Sequence, residues 1–472
     1  MSKYKMLIDG ELVAGPSEAN VVNPATEATI AKVYLASQDQ VDDAVQSAER
    51  AFGFWSKSPL DERRQLLVKI ADVIAENTEE LTQVLAQESG HTLTTAGYEV
   101  AGLADIFRYF SELNFSDRVI EESATRLAKL VHRPIGVVAA ILPWNFPFGQ
   151  LGAKAAPALL AGNTLVIKPA GTTPLSTLLL GKYIADIVPA GVVNIIADAN
   201  DLGDYLTTHP SVRMVSFTGS TGTGKKIMAN SAGTLKRLAL ELGGNDAAIV
   251  LDDADPKAIA EGLFWGSFYH SGQICCGIKR LYVHDSLYDQ LCEELASIAK
   301  QIVIGDSVVE AEVAIGPLQN KAQFDRVQSY LKDAKTNGKI IAGGEVPDRK
   351  GFFIPPTIVR DIAEGAALVD EEQFGPVLPV IRYSDIDDAV DRANASPYGL
   401  GGSVWSSNVD RARAVAASLD VGNAWINKHA DTAANLPFAG AKMSGIGAEM
   451  GEEGLSEFTQ IQVINEPPAQ RA

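Results

Sequence analysis

The spacing of apolar residues changes along the chain from short runs, to helical periodicity, and then to isolated runs of valine and isoleucine. The stretch to about Ala36 alternates short apolar runs with Gly and Asn-Pro, which predicts short strands and turns. From Asp39 to Tyr109, apolar residues recur at intervals of three and four, which predicts a layer of helices. Pro59 lies between two such stretches, where it can begin the second helix near Leu60.

The middle of the chain predicts a buried parallel sheet. Short runs rich in Val and Ile are separated by amphipathic stretches such as Thr177 to Val188. This alternation is typical of strands joined by crossover helices that cover both faces of the sheet. Nucleotide-binding domains have this architecture, although the architecture alone does not establish function. The predicted strands are Gly136 to Leu142, Thr164 to Lys168, Val192 to Ile196, and Arg213 to Phe217.

A second α/β unit is predicted to begin with a strand from Ala247 to Leu251, which leaves Glu241 at the junction between the two units. Sites are often built at such interfaces. The tail from Phe458 to Asn465 alternates as a strand does, and we expect it to pair with another subunit. Further segments of the second unit are Leu281 to His284, Tyr288 to Ile302, Lys339 to Ala342, Val377 to Tyr383, and Gly402 to Trp405.

Composition and charge exclude several classes of function. A chain of 472 residues is long enough for two or three domains with large cores. Its formal net charge of −19 repels nucleic acid and anionic membranes. The amino-terminal apolar run is too short for a signal peptide, and no apolar run is long enough to span a membrane. We therefore expect a cytoplasmic protein that binds neither nucleic acid nor membrane.

Three cysteines, Cys275, Cys276 and Cys292, do not form the paired spacing of a zinc site or a disulfide framework. Two segments about thirty residues apart carry the candidate chemistry: Glu241 precedes a Gly-Gly pair, and Cys275 lies in a turn of small residues. A thiol nucleophile has an ordinary pKa of about 8.5 and needs a nearby base or positive field, and a glutamate can be that base. Each segment alone is more often an inert core cysteine, as we expect for Cys292, or a simple turn.

Taken together with other motifs, these segments resemble the general-base and nucleophile motifs of the aldehyde dehydrogenase superfamily. The similarity covers the chain from about Gly10 to about Thr459 in order and spacing. The further motifs are Pro143-Trp144-Asn145-Phe146-Pro147, Val166-Ile167-Lys168-Pro169-Ala170, Phe217-Thr218-Gly219-Ser220-Thr221-Gly222, Glu371-Glu372-Gln373-Phe374-Gly375-Pro376, Leu436-Pro437-Phe438-Ala439-Gly440 and Lys442-Met443-Ser444-Gly445.

The resemblance implies an α/β fold with a Rossmann-type parallel-sheet cofactor domain, a second α/β catalytic domain and a small β oligomerisation flap. It places the NAD(P)-binding domain at residues 1–116 and 138–242, and the catalytic domain at 243–435. The flap and tail are 117–137 and 455–472, and 436–454 return to the cofactor domain. Relatives of this kind assemble as dimers or tetramers, so a homodimer or homotetramer is expected.

The resemblance also assigns a site. Cys275 is the implied nucleophile, Glu241 the general base, and Asn145 the donor to the oxyanion, although an Asn between two prolines is by itself usually a turn former. No metal is implied. The implied cofactor contacts are Ile141, Trp144, Lys168, Gly203, Gly219, Ser220, Glu372 and Phe374. The implied substrate tunnel contains Phe146, Gln150, Ala153, Ile274, Cys276 and His429.

The implied reaction is oxidation of a small-molecule aldehyde to a carboxylic acid with NAD(P)⁺, through a Cys275 thiohemiacetal and thioester. Gly171 stands where many NAD-preferring relatives carry a glutamate, so NADP remains possible beside NAD. Small residues after Asn145, and the lack of arginine there, favour an aromatic, terpenoid or medium-chain aldehyde. The alternatives are a CoA-acylating aldehyde dehydrogenase and a catalytically silent binding protein on the same fold.

Overall fold

A computed structural model describes residues 4–114 and 117–467. Residues 1–3, 115–116 and 468–472, to which the domain prediction also extends, lie outside the described residues. The helices are α1 (Gln38–Trp55), α2 (Leu60–Glu76), α3 (Thr78–Ser89), α4 (Leu93–Glu112), α5 (Pro147–Ala161), α6 (Leu175–Ile184), α7 (Gly203–Thr208), α8 (Thr221–Ala232), α9 (Pro256–Phe268), α10 (Tyr288–Gln301), α11 (Lys321–Asn337), α12 (Ala367–Asp370), α13 (Ile386–Asn394), α14 (Val409–Ala416) and α15 (Gly451–Glu457).

Most of the strands belong to two large sheets. The strands are β1 (Met6–Ile8), β2 (Glu11–Val13), β3 (Ser17–Val22), β4 (Thr29–Leu35), β5 (Arg118–Glu122), β6 (Leu127–Pro134), β7 (Val137–Ile141), β8 (Thr164–Lys168), β9 (Val193–Ile195), β10 (Val212–Thr218), β11 (Arg237–Glu241), β12 (Asp246–Val250), β13 (Ile278–His284), β14 (Lys339–Ala342), β15 (Thr357–Arg360), β16 (Val377–Tyr383), β17 (Tyr398–Gly399), β18 (Gly401–Trp405), β19 (Asn423–Ile426), β20 (Phe438–Ala439), β21 (Ala441–Lys442), β22 (Gly445–Ile446), β23 (Ala448–Glu449) and β24 (Thr459–Glu466).

The first large sheet has the order β2-β1-β9-β8-β7-β10-β11-β22, and its central strands from β9 to β11 are parallel. Strands β7 and β8 are buried along their whole length, as expected for a sheet covered on both faces. The helical layer predicted from the three- and four-residue spacing is present as α1 to α4, and α2 begins at Leu60 as predicted. Helix α6 ends at Ile184 rather than at the predicted Val188, because the chain turns before Pro189.

The second large sheet has the order β14-β15-β16-β13-β12-β18-β19, and all its pairs except β14 with β15 are parallel. The chain passes from the first sheet to the second between Glu241, which ends β11, and Asp246, which begins β12. A separate antiparallel sheet has the order β24-β6-β5 and joins the chain's last strand to the segment after α4. The division into domains at residue 242 stays a prediction.

Helix α5 is held at its amino terminus by a carboxylate from α4. The Glu99 Oε1 atom accepts hydrogen bonds from the backbone N–H groups of Phe148 (2.8 Å) and Gly149 (3.0 Å). These N–H groups have no partner within the helix, and a negative charge is favourable at a helix amino terminus. Helix α5 is thereby fixed directly after Asn145. No helix in the described ranges is both long and apolar enough to cross a membrane.

Candidate active site

The carboxyl ends of the parallel strands of the first sheet bring several predicted site residues to one edge. In the strand register, Ile141 is paired with Lys168 on one side and with Phe217 on the other. Thr218 is in turn paired with Glu241. Ligands of open α/β sheets bind outside this edge. The edge therefore carries a candidate base at one end and a candidate cofactor contact at the other.

The two glycines after Glu241 allow the second unit to approach this edge closely. A Cβ atom on Gly244 would lie 2.6 Å from the carbonyl oxygen of Cys275, and one on Gly243 would collide with the carboxylate of Glu372. At Gly244 the obstacle is backbone, so only glycine permits this close approach, whereas at Gly243 a side chain would require the Glu372 carboxylate to move. The Gly-Gly pair is therefore a contact surface between the candidate base Glu241, the turn at residues 270–277 that carries Cys275 (called the nucleophile turn after its predicted role), and the loop that carries Glu372.

The nucleophile turn follows α9 and is held by hydrogen bonds. His270 and Ser271 adopt positive φ angles of 48° and 55°, which is uncommon for residues other than glycine. The Ser271 hydroxyl donates to the carbonyl of Gly316 at 2.6 Å. The Gln273 Oε1 atom accepts the N–H of Gln319 at 2.9 Å. Cys275 follows and is half-buried, whereas Cys292 lies in the core of the second unit, as predicted.

Asn145 connects a third segment to this turn. Its side chain is buried, and its Nδ2 atom donates a hydrogen bond of 2.9 Å to the carbonyl oxygen of Gln273. A side-chain amide has two N–H donors, so one remains for another acceptor. The residue thus has a second function besides the predicted oxyanion contact, which is to fix the backbone two residues before Cys275.

Glu241 is buried, and neither of its carboxylate oxygens has a hydrogen-bond partner among the described residues. Burial raises the pKa of Glu241 well above its usual value, and the neighbouring Cys275 and Glu449 raise it further. The Lys154 ammonium opposes that shift. A carboxylate left without partners beside a thiol is arranged to accept a proton rather than to stabilise the fold.

The surroundings of Cys275 act on its pKa in opposite directions. Contact with the neighbouring Cys276 thiol, together with burial, raises the pKa of Cys275 well above its usual value. Glu241 and the Lys279 ammonium act in the opposite direction. Formation of the thiolate therefore depends on groups close to the turn, of which Lys279 carries a positive charge.

Two buried lysines were not recognised from the sequence. The Lys154 Nζ atom donates to Gln150 Oε1 (2.9 Å), Thr218 Oγ1 (2.7 Å) and Glu449. Lys279 holds carbonyl groups of the nucleophile turn. Lys154 follows Gln150 by one helical turn, which is the one sequence signal that it shares a face with a predicted tunnel residue.

The predicted cofactor residues fall into two groups. At the edge of the first sheet, the Lys168 Nζ atom donates to Asp198 Oδ1 at 2.7 Å, and a Cβ atom on Gly203 would lie 3.9 Å from Lys168 Cε. The Ser220 hydroxyl caps α8 by accepting the N–H of Thr223 at 3.3 Å. Gly219 must be small, because a Cβ atom there would lie 2.5 Å from the Phe217 ring.

The second group comes from the other unit. The Glu372 Oε1 atom accepts the N–H of Gly244 at 2.9 Å, while its Oε2 atom accepts no hydrogen bond in the described part of the chain. The Phe374 ring meets the Trp144 ring edge to face, with 5.5 Å between centroids. A carboxylate with a free oxygen, a lysine and an exposed helix amino terminus at one sheet edge fit the hydroxyl, ring and phosphate groups of a dinucleotide.

The predicted tunnel residues do not all lie on an open surface. Phe146, Gln150 and Ile274 are half-buried. The side chains of three others are enclosed: Ala153, Cys276 and His429. The His429 ring differs most from its predicted position, because its nitrogens bond Ser403 Oγ (2.8 Å) and the Cys276 carbonyl (2.7 Å). The His429 ring therefore holds the backbone at Cys276, directly after Cys275, through the Cys276 carbonyl.

Comparison with known proteins identifies what this arrangement is similar to. The model of the aldehyde dehydrogenase family matches residues 13–464. Aldehyde dehydrogenase LUC3 of a Fusarium species is 38% identical over 464 residues, covering 98% of each chain. Lactaldehyde dehydrogenase of Escherichia coli K12 is 36% identical over 470 residues, also covering 98% of each.

Solved structures give the same result. A betaine aldehyde dehydrogenase variant from Staphylococcus aureus, in complex with NAD⁺, superposes with a TM-score of 0.95 at 33% identity and covers 100% of this chain and 97% of its own. A protein from Burkholderia cenocepacia that is proposed to be an aldehyde dehydrogenase superposes with a TM-score of 0.96 at 37% identity. The superposition covers 100% of this chain and 99% of that protein.

Proposed function

The chain belongs to the aldehyde dehydrogenase family and is an NAD(P)-dependent aldehyde dehydrogenase, and we propose that it works through a covalent thioester on Cys275 that Glu241 helps to hydrolyse. One observation carries this proposal. The two glycines after Glu241 place the end of β11 against the carbonyl of Cys275, while Asn145 bonds the same turn from a third segment. Base, nucleophile and oxyanion donor thus converge from separate parts of the sequence.

In the proposed reaction, the Cys275 thiolate adds to the aldehyde carbon, and the carbonyl oxygen becomes an oxyanion. The free N–H of the Asn145 amide and the backbone N–H of Cys275 donate to that oxyanion. The oxyanion then re-forms a carbonyl as the hydride leaves the same carbon, which gives a thioester on Cys275; the nicotinamide cofactor, when bound, would supply the acceptor for that hydride. Glu241 then takes a proton from water, whose oxygen adds to the thioester carbonyl; the C–S bond breaks, and the acid leaves with Cys275 regenerated.

Replacing Asn145 with alanine removes the proposed oxyanion donor and is expected to lower kcat by about 10² to 10³. The same change releases the Gln273 carbonyl, so a fall in thiol reactivity must be separated from a fall in catalysis. The measurement is therefore steady-state kinetics together with the iodoacetamide alkylation rate of Cys275. An unchanged kcat contradicts the oxyanion assignment, whereas equal losses in both rates assign Asn145 to support of the turn alone.

The contacts of Lys168 support NAD as the cofactor. Lys168 is the cation that the sequence offers for a 2′-phosphate, but its ammonium is 2.7 Å from the buried Asp198 carboxylate. A cation paired in this way offers little to a second anion, and the carboxylate itself repels one. Asp198 thus takes over the repelling charge that Gly171 lacks.

We therefore expect kcat/KM to be higher with NAD than with NADP. Replacing Asp198 with asparagine is expected to narrow this preference by about tenfold, or about 1.4 kcal/mol of differential binding. The measurement is kcat/KM for both cofactors with one aldehyde, and Asp201→Asn serves as an exposed control on the same loop. A wild-type preference for NADP, or an unchanged ratio in Asp198→Asn, contradicts this assignment.

We propose an aromatic, terpenoid or medium-chain aldehyde as the substrate. The half-buried Phe146 ring is nearly parallel to the Tyr269 ring, with 6.4 Å between centroids, and as a tunnel residue it would offer an aromatic surface to the substrate. Gln150 lends polarity without charge. An absorbance assay of reduced nicotinamide over a panel of aldehydes tests the proposal: benzaldehyde and octanal should exceed succinic semialdehyde in kcat/KM, and the reverse order contradicts it.

We also propose that the chain is a homodimer or homotetramer that associates through the β24-β6-β5 sheet. Strand β24 is an edge strand of this sheet, and its side chains include the exposed Ile461, Val463 and Ile464. Strand β5, at the opposite edge of the same sheet, exposes Val119 and Ile120. A long edge strand with exposed apolar residues is a surface on which another chain can pair.

A further inference from the structure

Lys279 lies beneath the nucleophile turn, with its side chain almost completely enclosed. Its Nζ atom donates to the carbonyls of Cys275 (2.6 Å) and Ile274 (2.7 Å), with a longer contact of 3.3 Å to Gly277. An ammonium has three N–H donors, and here they all serve one turn of backbone. A lysine is almost never buried without partners, so this cation and the turn fix each other.

The same ammonium faces the carboxylate of Glu372 at 3.9 Å. Glu372 comes from a loop almost a hundred residues later and also accepts the N–H of Gly244. Both side chains are largely buried, so their attraction is screened less than that of a surface pair. Lys279 also lies 5.9 Å from the centroid of the Phe374 ring. One side chain therefore contacts the turn of Cys275 and the loop of Glu372.

Other titratable groups surround this contact. Burial raises the pKa of Asp246 to about 7, and Lys279 opposes that shift. Burial likewise raises the pKa of Glu372, again opposed by Lys279. Burial lowers the pKa of His429 to about 3, and Lys279 acts in the same direction. Arg280 adds positive charge near Asp246, Arg326 adds it near Glu372, and Glu241 and Cys276 lie on the Cys275 side.

We infer that Lys279 is a positioning residue that couples cofactor binding at Glu372 to the placement of the nucleophile Cys275. The inference rests on the proposed role of Glu372 as a cofactor contact. When that carboxylate is held by the cofactor, its position fixes the ammonium, and the ammonium fixes the carbonyls on either side of the Ile274–Cys275 peptide. Such coupling acts in both directions: the cofactor changes the reactivity of Cys275, and modification of Cys275 changes the affinity for the cofactor.

The test compares Lys279→Met with Lys236→Met. Lys236 is also buried and donates to two backbone carbonyls, those of His209 (2.7 Å) and Val212 (2.8 Å), so it is a matched control for loss of a buried lysine. The rate constant of Cys275 alkylation by iodoacetamide is measured from about pH 6 to about pH 10, with and without saturating NAD. Peptide mass spectrometry assigns the modified cysteine, and NAD affinity is measured by calorimetry.

In the wild-type protein and in Lys236→Met, NAD is expected to change the alkylation rate constant by about tenfold. In Lys279→Met, the change is expected to fall below about twofold, and the midpoint of alkylation to move to higher pH, since a positive charge near the thiolate is lost. Lys279→Arg retains the charge and should restore part of the response. A full NAD response in a folded Lys279→Met protein overturns the inference.

Glu372→Gln tests the same coupling by changing the proposed cofactor contact instead of Lys279. The result therefore does not depend on whether the lysine variants fold. It is expected to weaken NAD binding and, when saturated with NAD, to lose the alkylation response. If it weakens NAD binding but keeps the response, the coupling is wrong and the cofactor assignment stands. If it leaves NAD affinity unchanged, the cofactor assignment of Glu372 fails and the coupling fails with it.

Discussion

Replacing Cys275 with alanine is expected to reduce aldehyde-dependent formation of reduced nicotinamide by a factor on the order of 10⁴ to 10⁶. Without the sulfur, no adduct forms between protein and aldehyde, so there is no oxyanion whose collapse to a carbonyl would expel the hydride from the aldehyde carbon. Asn145 and the cofactor contacts remain, so NAD affinity should change little. The measurements are absorbance of reduced cofactor for turnover and calorimetry for NAD binding.

Two other cysteines provide the controls. Cys276→Ala removes an adjacent buried thiol, and because that thiol raises the pKa of Cys275, turnover should persist with its pH profile moved to lower pH. Cys292→Ala creates a small cavity in the core around α10 and should lower the melting temperature without abolishing turnover. Full turnover in Cys275→Ala would exclude Cys275 as the nucleophile. If Cys276→Ala lost all turnover while Cys275→Ala kept it, Cys276 would be the nucleophile instead.

Replacing Glu241 with glutamine is expected to stop the reaction at the thioester. The change preserves size but removes the base, so one burst of reduced cofactor should still form, and steady turnover should fall by about 10² to 10⁴. Intact-protein mass spectrometry should then show the acyl group on Cys275. Because burial raises the pKa of Glu241, hydrolysis in the wild-type protein should speed up as pH rises, and the glutamine variant should lose that dependence.

Glu88→Gln is the matched control for this change. Glu88 is also buried, burial raises its pKa to about 7, and its carboxylate accepts the N–H groups of Leu175 (2.7 Å) and Ser176 (2.9 Å) at the start of α6. The control should lose stability and retain hydrolysis. If the wild-type protein needs CoA for steady turnover, or if Glu241→Gln hydrolyses the thioester normally, water activation by Glu241 is excluded.

The sequence predicts the elements well because their signals are local. The runs of Val and Ile around Thr164 to Lys168 predicted β8 to the residue, and Pro59 correctly marked the start of α2. Parallel strands end at a common edge, so the meeting of Ile141, Lys168 and Phe217 follows once the sheet is predicted, whereas β11, which carries Glu241, was not among the predicted strands. These predictions depend only on residues that are close in sequence or on the order of strands in the sheet.

Other parts of the site depend on contacts between distant segments, and no spacing rule gives those contacts. The sequence around Lys279 predicts an ordinary lysine on a strand, because its contact with Glu372 exists only in the folded protein. The His429 ring could not be placed, because its partners Ser403 and Cys276 come from different elements. Asp198 supplies a carboxylate near the position where Gly171 lacks one. It bonds Lys168 because β9, which precedes Asp198, lies beside β8, which ends at Lys168. The sequence pattern predicts which residues lie at the site, but it does not predict which hydrogen bonds and ion pairs they form with one another.

The glycine contact at positions 243 and 244 also bears on how this enzyme can be redesigned. Since a methyl group at Gly244 would overlap the Cys275 carbonyl, any exchange of the segment after Glu241 or of the nucleophile turn between homologous enzymes has to keep glycine at this position. The half-buried Phe146, which we propose as a tunnel residue, lies outside that contact, and a mutant library at this position is expected to vary selectivity.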